Sequence, residues 1–479
     1  MLENLKHHRW LLLILVGATA LRFYGLAGES LWLDEGQTVK WIGGSYAGLT
    51  ANWTQGQLFL FILKLWSGIA GTSEFALRFL PAVFGIAVVA AIFFFGRALF
   101  SETTGLYAAL FMAVNPFAIF YSQDARPYSL FLLGSITALL CAIRLAQTDR
   151  TRYALGYGLS VLVTVYSHPF APFLIPTHVL AFILFRRKSA PQSALRLSNS
   201  VIVILAATLC LALPQVWCYA QRFAWKTETN LVAAWIPRPT FTDLWKTPAY
   251  YFMFRPSGYA VILLIGVIAL WKVLWKETAR AALFVLLSLL FCAWILPWIL
   301  SRVVTPIYVL RYTIPALSAF VVLLGWALTE LKPVWRRGLV VVLGVLMVIP
   351  LYHYYTKIDK DPWRQTAGIV QGQLKSGDNV VYYNGLSRAP FEYYCVLPAG
   401  VQTLPISNLE DLASATNRAQ RIWLILSYDS GPSSLTSGIL ETLARGWKPD
   451  FEISMTDRIH KNPHAYFVAD IKVKRYVRA

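Results

Sequence analysis

Residues 10–35 read Trp10-Leu11-Leu12-Leu13-Ile14-Leu15-Val16-Gly17-Ala18-Thr19-Ala20-Leu21-Arg22-Phe23-Tyr24-Gly25-Leu26, then Ala27-Gly28-Glu29-Ser30, then Leu31-Trp32-Leu33-Asp34-Glu35. The first part is long and apolar enough to enter a bilayer, and Lys6, His7, His8 and Arg9 precede it. Positive charge on that flank predicts a cytoplasmic N-terminus. Asp34 and Glu35 are then expected to emerge on the exoplasmic face. Ala18-Thr19-Ala20 also resembles a signal-peptidase site, which would make residues 1–20 a removable leader. The apolar character that continues through Phe23, Tyr24 and Leu26 favours a retained span instead.

Working outward, the 479 residues are 57% hydrophobic, 15% aromatic and only 14% charged, against roughly 25% charged in soluble domains. A polytopic membrane protein is predicted. Stretches of the right length for helical spans lie near 10–26, 79–96, 105–121, 128–146, 153–168, 170–185, 200–220, 258–275, 280–300, 313–330 and 337–354. An odd number of spans, about eleven, places the C-terminal segment outside. Loop charge agrees: the predicted inner segments hold 16 Lys and Arg in 56 residues, the predicted outer ones 11 in 107, the asymmetry expected for this orientation. The net charge of +19 therefore reads as a topology signal rather than a nucleic-acid footprint, since residues 356–479 carry 15 basic and 12 acidic side chains. The five cysteines form no CxxC pair and read as small buried hydrophobes, without disulfide or metal.

Between Ala27 and Arg78 lies a long outer segment in which the apolar run Leu58–Gly68 is short and interrupted by Lys64, as in a helix lying in the interface. A second outer loop, Gln221–Ser257, carries Trp225, Trp235, Trp245, Tyr250 and Tyr251; an aromatic belt at headgroup level is favoured there over a binding lid. After Tyr355 the pattern alternates: helix at Arg364–Leu374, strand at Asn379–Tyr383, helix at Leu409–Ala419, strand at Arg421–Leu426, helix at Leu435–Ala444, strand at Ala465–Val473. The fold class expected is mainly α, a polytopic transmembrane helical domain over 1–355 with a small extracytoplasmic α/β domain over 356–479.

Three outer clusters can carry chemistry. In Asp34-Glu35, sequence neighbours point in different directions whether the backbone is helical or extended, so one carboxylate can face a cavity while the other serves elsewhere. In Tyr121-Ser122-Gln123-Asp124-Ala125-Arg126-Pro127-Tyr128, Pro127 marks a helix start. Arg126 stands beside its N-terminal amides, a natural phosphate site; snorkelling to headgroups is the competing reading. Val309-Leu310-Arg311-Tyr312-Thr313-Ile314-Pro315 repeats the same physics. His168-Pro169, at a turn, either orients a substrate hydroxyl or caps and packs. His178 reads as a hydrogen-bonded core residue. Lys40 and Lys64 either anchor interfacial helices or help neutralise a phosphate.

With these residues in view, the chain resembles glycosyltransferase family 39, the membrane enzymes related to protein O-mannosyltransferases and the lipid A aminoarabinose transferase. Leu31–Glu35, Ser73-Glu74-Phe75-Ala76-Leu77-Arg78, Tyr121–Arg126, Tyr166-Ser167-His168, Arg311-Tyr312 with Pro315, and Asp361-Pro362-Trp363-Arg364 carry the resemblance, in order, over roughly residues 10–390. It implies a C-type glycosyltransferase fold, a polyprenyl-phosphate sugar donor, and the acidic residue of the first outer loop, here Asp34, as the catalytic base. Glu35 is the second catalytic candidate. Arg126, Arg311, Tyr128, Tyr312, Gln123, His168 and Lys64 are candidates for substrate binding, with the two arginines placed by position to stabilise the leaving phosphate. Relatives carry a His-Pro-Pro-like element where this chain reads Asn52-Trp53-Thr54-Gln55-Gly56-Gln57-Leu58. That departure removes a potential metal ligand, and no metal or other cofactor is expected.

The expected activity is hexosyl or pentosyl transfer from a polyprenyl-phosphate sugar to a lipid, protein or polysaccharide acceptor. The expected setting is the cell inner or plasma membrane, with no nucleic-acid partner. The alternative is a lipid or sugar transporter without transferase chemistry, which the lack of an apparent internal repeat disfavours. A non-catalytic assembly protein that uses its outer domain for recognition is a third reading.

Overall fold

A computed structural model describes residues 2–51, 56–189, 197–229, 236–252, 277–357, 360–383, 385–406, 408–417, 419–427, 434–456 and 470–479. The chain divides into two compact units. One comprises Met1–Tyr24, Leu49–Ile69 and Leu77–Tyr352; the other gathers Gly25–Gly48, Ala70–Ala76 and His353–Ala479. The second unit thus joins the C-terminal segment to two segments from the first eighty residues.

The first unit is helical. Helices lie at Leu2–Phe23, Gln57–Ala70, Glu74–Leu99, Glu102–Val114, Pro116–Ser122, Tyr128–Thr148, Thr151–Ser167, Ile175–Ser189, Asn199–Thr229, Phe241–Tyr251, Glu277–Leu290, Leu296–Val303, Pro315–Thr329 and Pro333–Lys357. Among the described residues, five helices are long and apolar enough to cross a membrane, or six if the bent pair Glu102–Val114 and Pro116–Ser122 is one span. The expected eighth span, 258–275, lies outside the described residues.

That bent pair shows how the interior is fastened. Pro116 has no N–H and stops the preceding helix. Asn115 restarts the chain: its Oδ1 accepts from the Ala118 amide at 2.9 Å while its Nδ2 donates to the Tyr251 carbonyl at 2.9 Å. The 62° break releases carbonyls, and each unsatisfied backbone group in an apolar interior costs several kcal/mol. Arg22, fully buried, answers them. Its guanidinium donates to Ala113 O at 3.0 Å, Met112 O at 3.2 Å and Ser122 Oγ at 3.2 Å. Gly85 lets the helix Glu74–Leu99 pass this knot, since a Cβ there would stand 2.1 Å from Ser122 Oγ.

Two expectations are adjusted here. Cys210 is exposed rather than buried. Its neighbours Ile202, Val203, Leu209, Leu211, Leu213 and Trp217 are exposed too, an apolar face of the kind a membrane-crossing helix presents. The loop expected to be an aromatic belt holds a helix, Phe241–Tyr251, in which Trp245 is exposed but Tyr251 is fully buried and donates to the Thr313 carbonyl at 2.9 Å. Trp225 and Trp235 fall among side chains outside the description. His178 matches its reading, buried and 3.4 Å from the Tyr157 hydroxyl.

The second unit contains a five-stranded sheet in the order β2-β1-β3-β5-β4. The strands are β1 (Asp378–Tyr382), β2 (Gln402–Pro405), β3 (Arg421–Leu426), β4 (Trp447–Thr456) and β5 (Asp470–Arg478). β1 pairs in parallel with β2 and β3, while β5 runs antiparallel to β3 and β4. The apolar runs of β1 and β3 follow from burial on both faces: Val381, Ile422 and Leu424 meet Leu412, Ile439 and Leu443, whereas Val380, Trp423 and Ile425 meet Trp363, Val370 and Phe391. The strands expected at Asn379–Tyr383 and Arg421–Leu426 are present, as are helices at Trp363–Gln371, Leu409–Thr416 and Ser434–Ala444. The first part of the expected strand Ala465–Val473, residues 465–469, lies outside the described residues. β2 and β4 were not expected.

At the start of β1, Asp378 is buried and forms a two-point pair with Arg421, Nη2 to Oδ2 at 2.6 Å and Nε to Oδ1 at 2.8 Å. Burial by itself raises the Asp378 pKa, but hydrogen bonds from Arg421, the Lys375 amide and Trp423 Nε1 outweigh it and hold the carboxyl below its ordinary value. The stability this contributes is complete above the unfolded pKa of about 3.9 and is lost as pH falls through the depressed folded value. Asp378→Asn should weaken the sheet by about 3 kcal/mol near neutral pH, read by hydrogen exchange of β1 and β3 amides. The difference from wild type should shrink as the pH drops below about 4.

Candidate functional site

Asp34 and Glu35 lie in the second unit, on the helix Leu33–Gly43. Adjacent positions on a helix diverge by roughly 100°, and the two carboxylates separate accordingly. Glu35 is fully buried and pairs with Lys360, Nζ to Oε2 at 3.0 Å; Trp32 N–H also donates to Glu35 Oε2 at 3.4 Å. Asp34 is half-buried at the second position of the helix.

The motif Asp361-Pro362-Trp363-Arg364 builds the seat. Asp361 Oδ2 accepts the Leu33 amide at 3.0 Å, satisfying one of the helix's orphan N-terminal donors from more than three hundred residues away, and also accepts Trp363 Nε1 at 3.2 Å. Ser30 Oγ donates to the Asp361 carbonyl, and the Lys360 amide donates to Glu29 Oε2 at 3.1 Å. Arg364 reaches the Gly28 and Ala27 carbonyls at 3.2 and 3.3 Å and Glu74 Oε1 at 2.6 Å. Tyr394 links the same parts: its hydroxyl donates to Glu74 at 2.9 Å and accepts from the Leu31 amide at 2.7 Å. On the helix's far side Gln37 donates to the Leu386 carbonyl. A Cβ on Gly36 would stand 2.7 Å from the ring and nitrogen of Pro390.

Gln123, Arg126, Tyr128, His168, Arg311, Tyr312 and Lys64 lie in the first unit. Gln123 is committed by its amide nitrogen, which donates to the Tyr24, Arg22 and Leu21 carbonyls at 2.8, 3.0 and 3.4 Å and so closes the C-terminus of the first helix. The tight turn that follows buries Arg126 and places Tyr128 at the start of the helix Tyr128–Thr148, as Pro127 predicts. Gly56, at φ +83°, approaches so closely that a Cβ would lie 2.7 Å from Pro127, which sets the start of the helix Gln57–Ala70 beside this turn. Lys64 is half-buried further along that helix.

Arg311 sits on a 3-10 turn, Leu310–Thr313, ahead of Pro315 at the start of the next helix. Its Nε donates to the Tyr128 hydroxyl at 2.8 Å and its guanidinium lies 5.5 Å from the Tyr312 ring. Tyr312 contacts the His168 ring at 4.7 Å between centroids, and His168 stacks on Phe131 at 4.5 Å. The His168 ring is fully buried and feels the charges of both Arg126 and Arg311. Its Nδ1 accepts the Phe170 amide at 3.1 Å, which fixes the proton on Nε2, and Nε2 meets no hydrogen-bond partner among the described residues. The two arginine clusters read separately in the sequence thus form one group of cations, phenols and an imidazole donor, suited to a phosphoryl oxyanion. Among the described residues, no group of His, Cys, Asp and Glu has the arrangement of a metal site.

Arg22, Lys360, Glu74 and Tyr394 were not among the expected site residues. A buried arginine within an apolar span was the available signal for the first; nothing in the linear sequence pairs Lys360 with Glu35.

The fold resembles that of solved membrane glycosyltransferases, and part of the chain matches one family model. Residues 55–219 match the family of dolichyl-phosphate-mannose-protein mannosyltransferases. ArnT from Cupriavidus metallidurans bound to undecaprenyl phosphate has a similar structure, with a TM-score of 0.62 at 12% identity over 97% of this chain and 98% of that one. The oligosaccharyltransferase AglB from Archaeoglobus fulgidus, in complex with an inhibitory peptide and a dolichol-phosphate, is similar at a TM-score of 0.55 and 11% identity over 88% of this chain and 69% of that one. No curated protein matches the sequence.

Gly36→Val should lift the helix Leu33–Gly43 from its seat, because Pro390 is held by its own backbone and has no flexible end to move. Amide exchange in that helix should rise at least about tenfold, with β1 and β3 unchanged. Wild-type protection in the variant would refute the close approach.

Proposed function

We propose that this protein is an integral membrane glycosyltransferase that moves a hexosyl or pentosyl group from a polyprenyl-phosphate sugar to a lipid, protein or polysaccharide acceptor, with Asp34 as general base. The observation that carries this reading is the inequality of the acid pair: Glu35 is fully buried against Lys360, whereas Asp34 is half-buried on the first turn of a firmly seated helix. The ArnT and AglB structures each hold a polyprenyl phosphate, which supports the donor class. Reaction at the exoplasmic face of the inner or plasma membrane, with the α/β domain extracytoplasmic, follows from the loop-charge asymmetry.

In this reading the acceptor hydroxyl gives its proton to Asp34 as its oxygen bonds to the anomeric carbon. The bond from that carbon to the phosphate oxygen breaks, and the phosphate leaves with the electron pair. Arg126 and Arg311 stabilise the departing charge, with Tyr128, Tyr312 and His168 Nε2–H lining it and Lys64 supplying a further cation. Gln123 supports the turn that carries Arg126, and Glu35 holds the helix that carries Asp34.

Asp34→Asn should lower transfer by at least about 100-fold while undecaprenyl-phosphate binding is retained. The readout is mass spectrometry of glycolipids and glycoproteins in a deletion strain complemented with each variant; full restoration by Asp34→Asn overturns the base assignment. Arg126→Ala and Arg311→Ala should each weaken undecaprenyl-phosphate binding by roughly tenfold, the scale of one charge-assisted hydrogen bond. Unaltered affinity in both removes the phosphate assignment.

A further inference from the structure

We propose that the α/β domain is a working part of the catalytic apparatus, and that Lys360 is a positioning residue that sets Asp34 through its ion pair with Glu35. This rests on the reading of Asp34 as the base.

Helix Leu33–Gly43 has eleven residues, too few to be stable alone in water. Its order must come from what it touches, and within its unit those contacts come from the C-terminal segment. Lys360 holds Glu35 at the third helical position, Asp361 caps the Leu33 amide, and Tyr394 takes the Leu31 amide. Asp34 lies between the Leu33 and Glu35 anchors. With the residues on either side fixed by charge and hydrogen bond, its backbone has little freedom, which sets where its carboxylate stands.

The seat also lies where an α/β sheet ordinarily offers its ligand crevice. In open sheets that crevice lies outside the carboxyl ends of the strands, where the connections leave in opposite directions. Here the chain leaves β1 toward β2 on one side and leaves β3 toward β4 on the other. The carboxyl ends of β1 and β3 are bridged by the Ser387 and Ser427 hydroxyls. Leu386 and Pro390, which receive Gln37 and Gly36, lie on the 3-10 turn Gly385–Ser387 and the helix Arg388–Tyr394 in the connection from β1 to β2. The place where such a domain would hold a small molecule is used to hold the acid helix of its own chain.

The test uses the full-length protein with Lys360→Met, Lys360→Arg and the double variant Glu35→Gln/Lys360→Met. Lys360→Met should reduce transfer at saturating donor by roughly 30-fold, with undecaprenyl-phosphate affinity and the melting temperature of the helical unit unchanged, and amide exchange should rise in residues 33–43 but not in β1 or β3. Lys360→Arg should recover most of the rate, and the double variant should exceed Lys360→Met, because it no longer leaves a buried carboxylate without its counter-charge. Wild-type transfer and wild-type exchange in Lys360→Met overturn the proposal. Loss of rate with equal loss of exchange protection throughout the sheet overturns it also, as a sign of general unfolding. Full activity in Asp34→Asn removes the base reading instead, and leaves the exchange result in Lys360→Met to decide whether Lys360 orders the helix.

Discussion

A buried ion pair is a demanding way to fasten two pieces of chain. Moving an ammonium and a carboxylate out of water costs several kcal/mol for each ion, and the interior returns that cost only when geometry is good and further hydrogen bonds complete the shell. Lys360 and Glu35 meet at 3.0 Å, with Trp32 N–H completing the carboxylate and the Lys360 amide bound to Glu29. The arrangement tolerates few displacements: sliding the helix by one residue to bring Asp34 against Lys360 would drive Glu35 into the place of Gly36, against Pro390. The ion pair thus selects which of two chemically similar neighbours is presented.

The helical unit is fastened by a second buried cation under a different constraint. At Asn115–Pro116 the helix must break, and the released carbonyls have no water to turn to if the segment lies in hydrocarbon. Arg22 supplies several donors in a planar fork, enough to serve Met112, Ala113 and Ser122 together. A lysine would offer a point charge and a different reach. The bend redirects the chain into the turn that carries Gln123 and Arg126, so the cation in the first helix fixes the turn indirectly, and Gln123 fixes it again by binding that helix's last carbonyls.

What was legible in the sequence follows from what is local. Apolar length marked the helices, proline marked the starts at Tyr128 and Pro315, and the divergence of neighbouring side chains implied that Asp34 and Glu35 would differ. The alternation of apolar runs after Tyr355 located β1 and β3 because both are buried on two faces. β2 escaped notice because Gln402–Pro405 is short, partly exposed and ends in proline. β4 escaped because Lys448, Pro449 and Asp450 interrupt its pattern. The Lys360 and Asp361 contacts were illegible for another reason: they join residues about 330 positions apart, and no local rule carries information over that distance.

That separation has a consequence for folding. Closing so long a loop is entropically unfavourable and must precede the contacts that reward it. An eleven-residue helix has little stability before then, so Leu33–Gly43 gains its final order only after the chain has reached Asp361 and the Arg388–Tyr394 helix beyond it. The first half of the chain can assemble its apolar helices while the acid segment still lacks its seat. Asp34 is therefore presented in its final geometry late, by a domain encoded at the opposite end of the sequence. A chain interrupted before that domain would retain the acid pair in its sequence and lose the means of telling one carboxylate from the other.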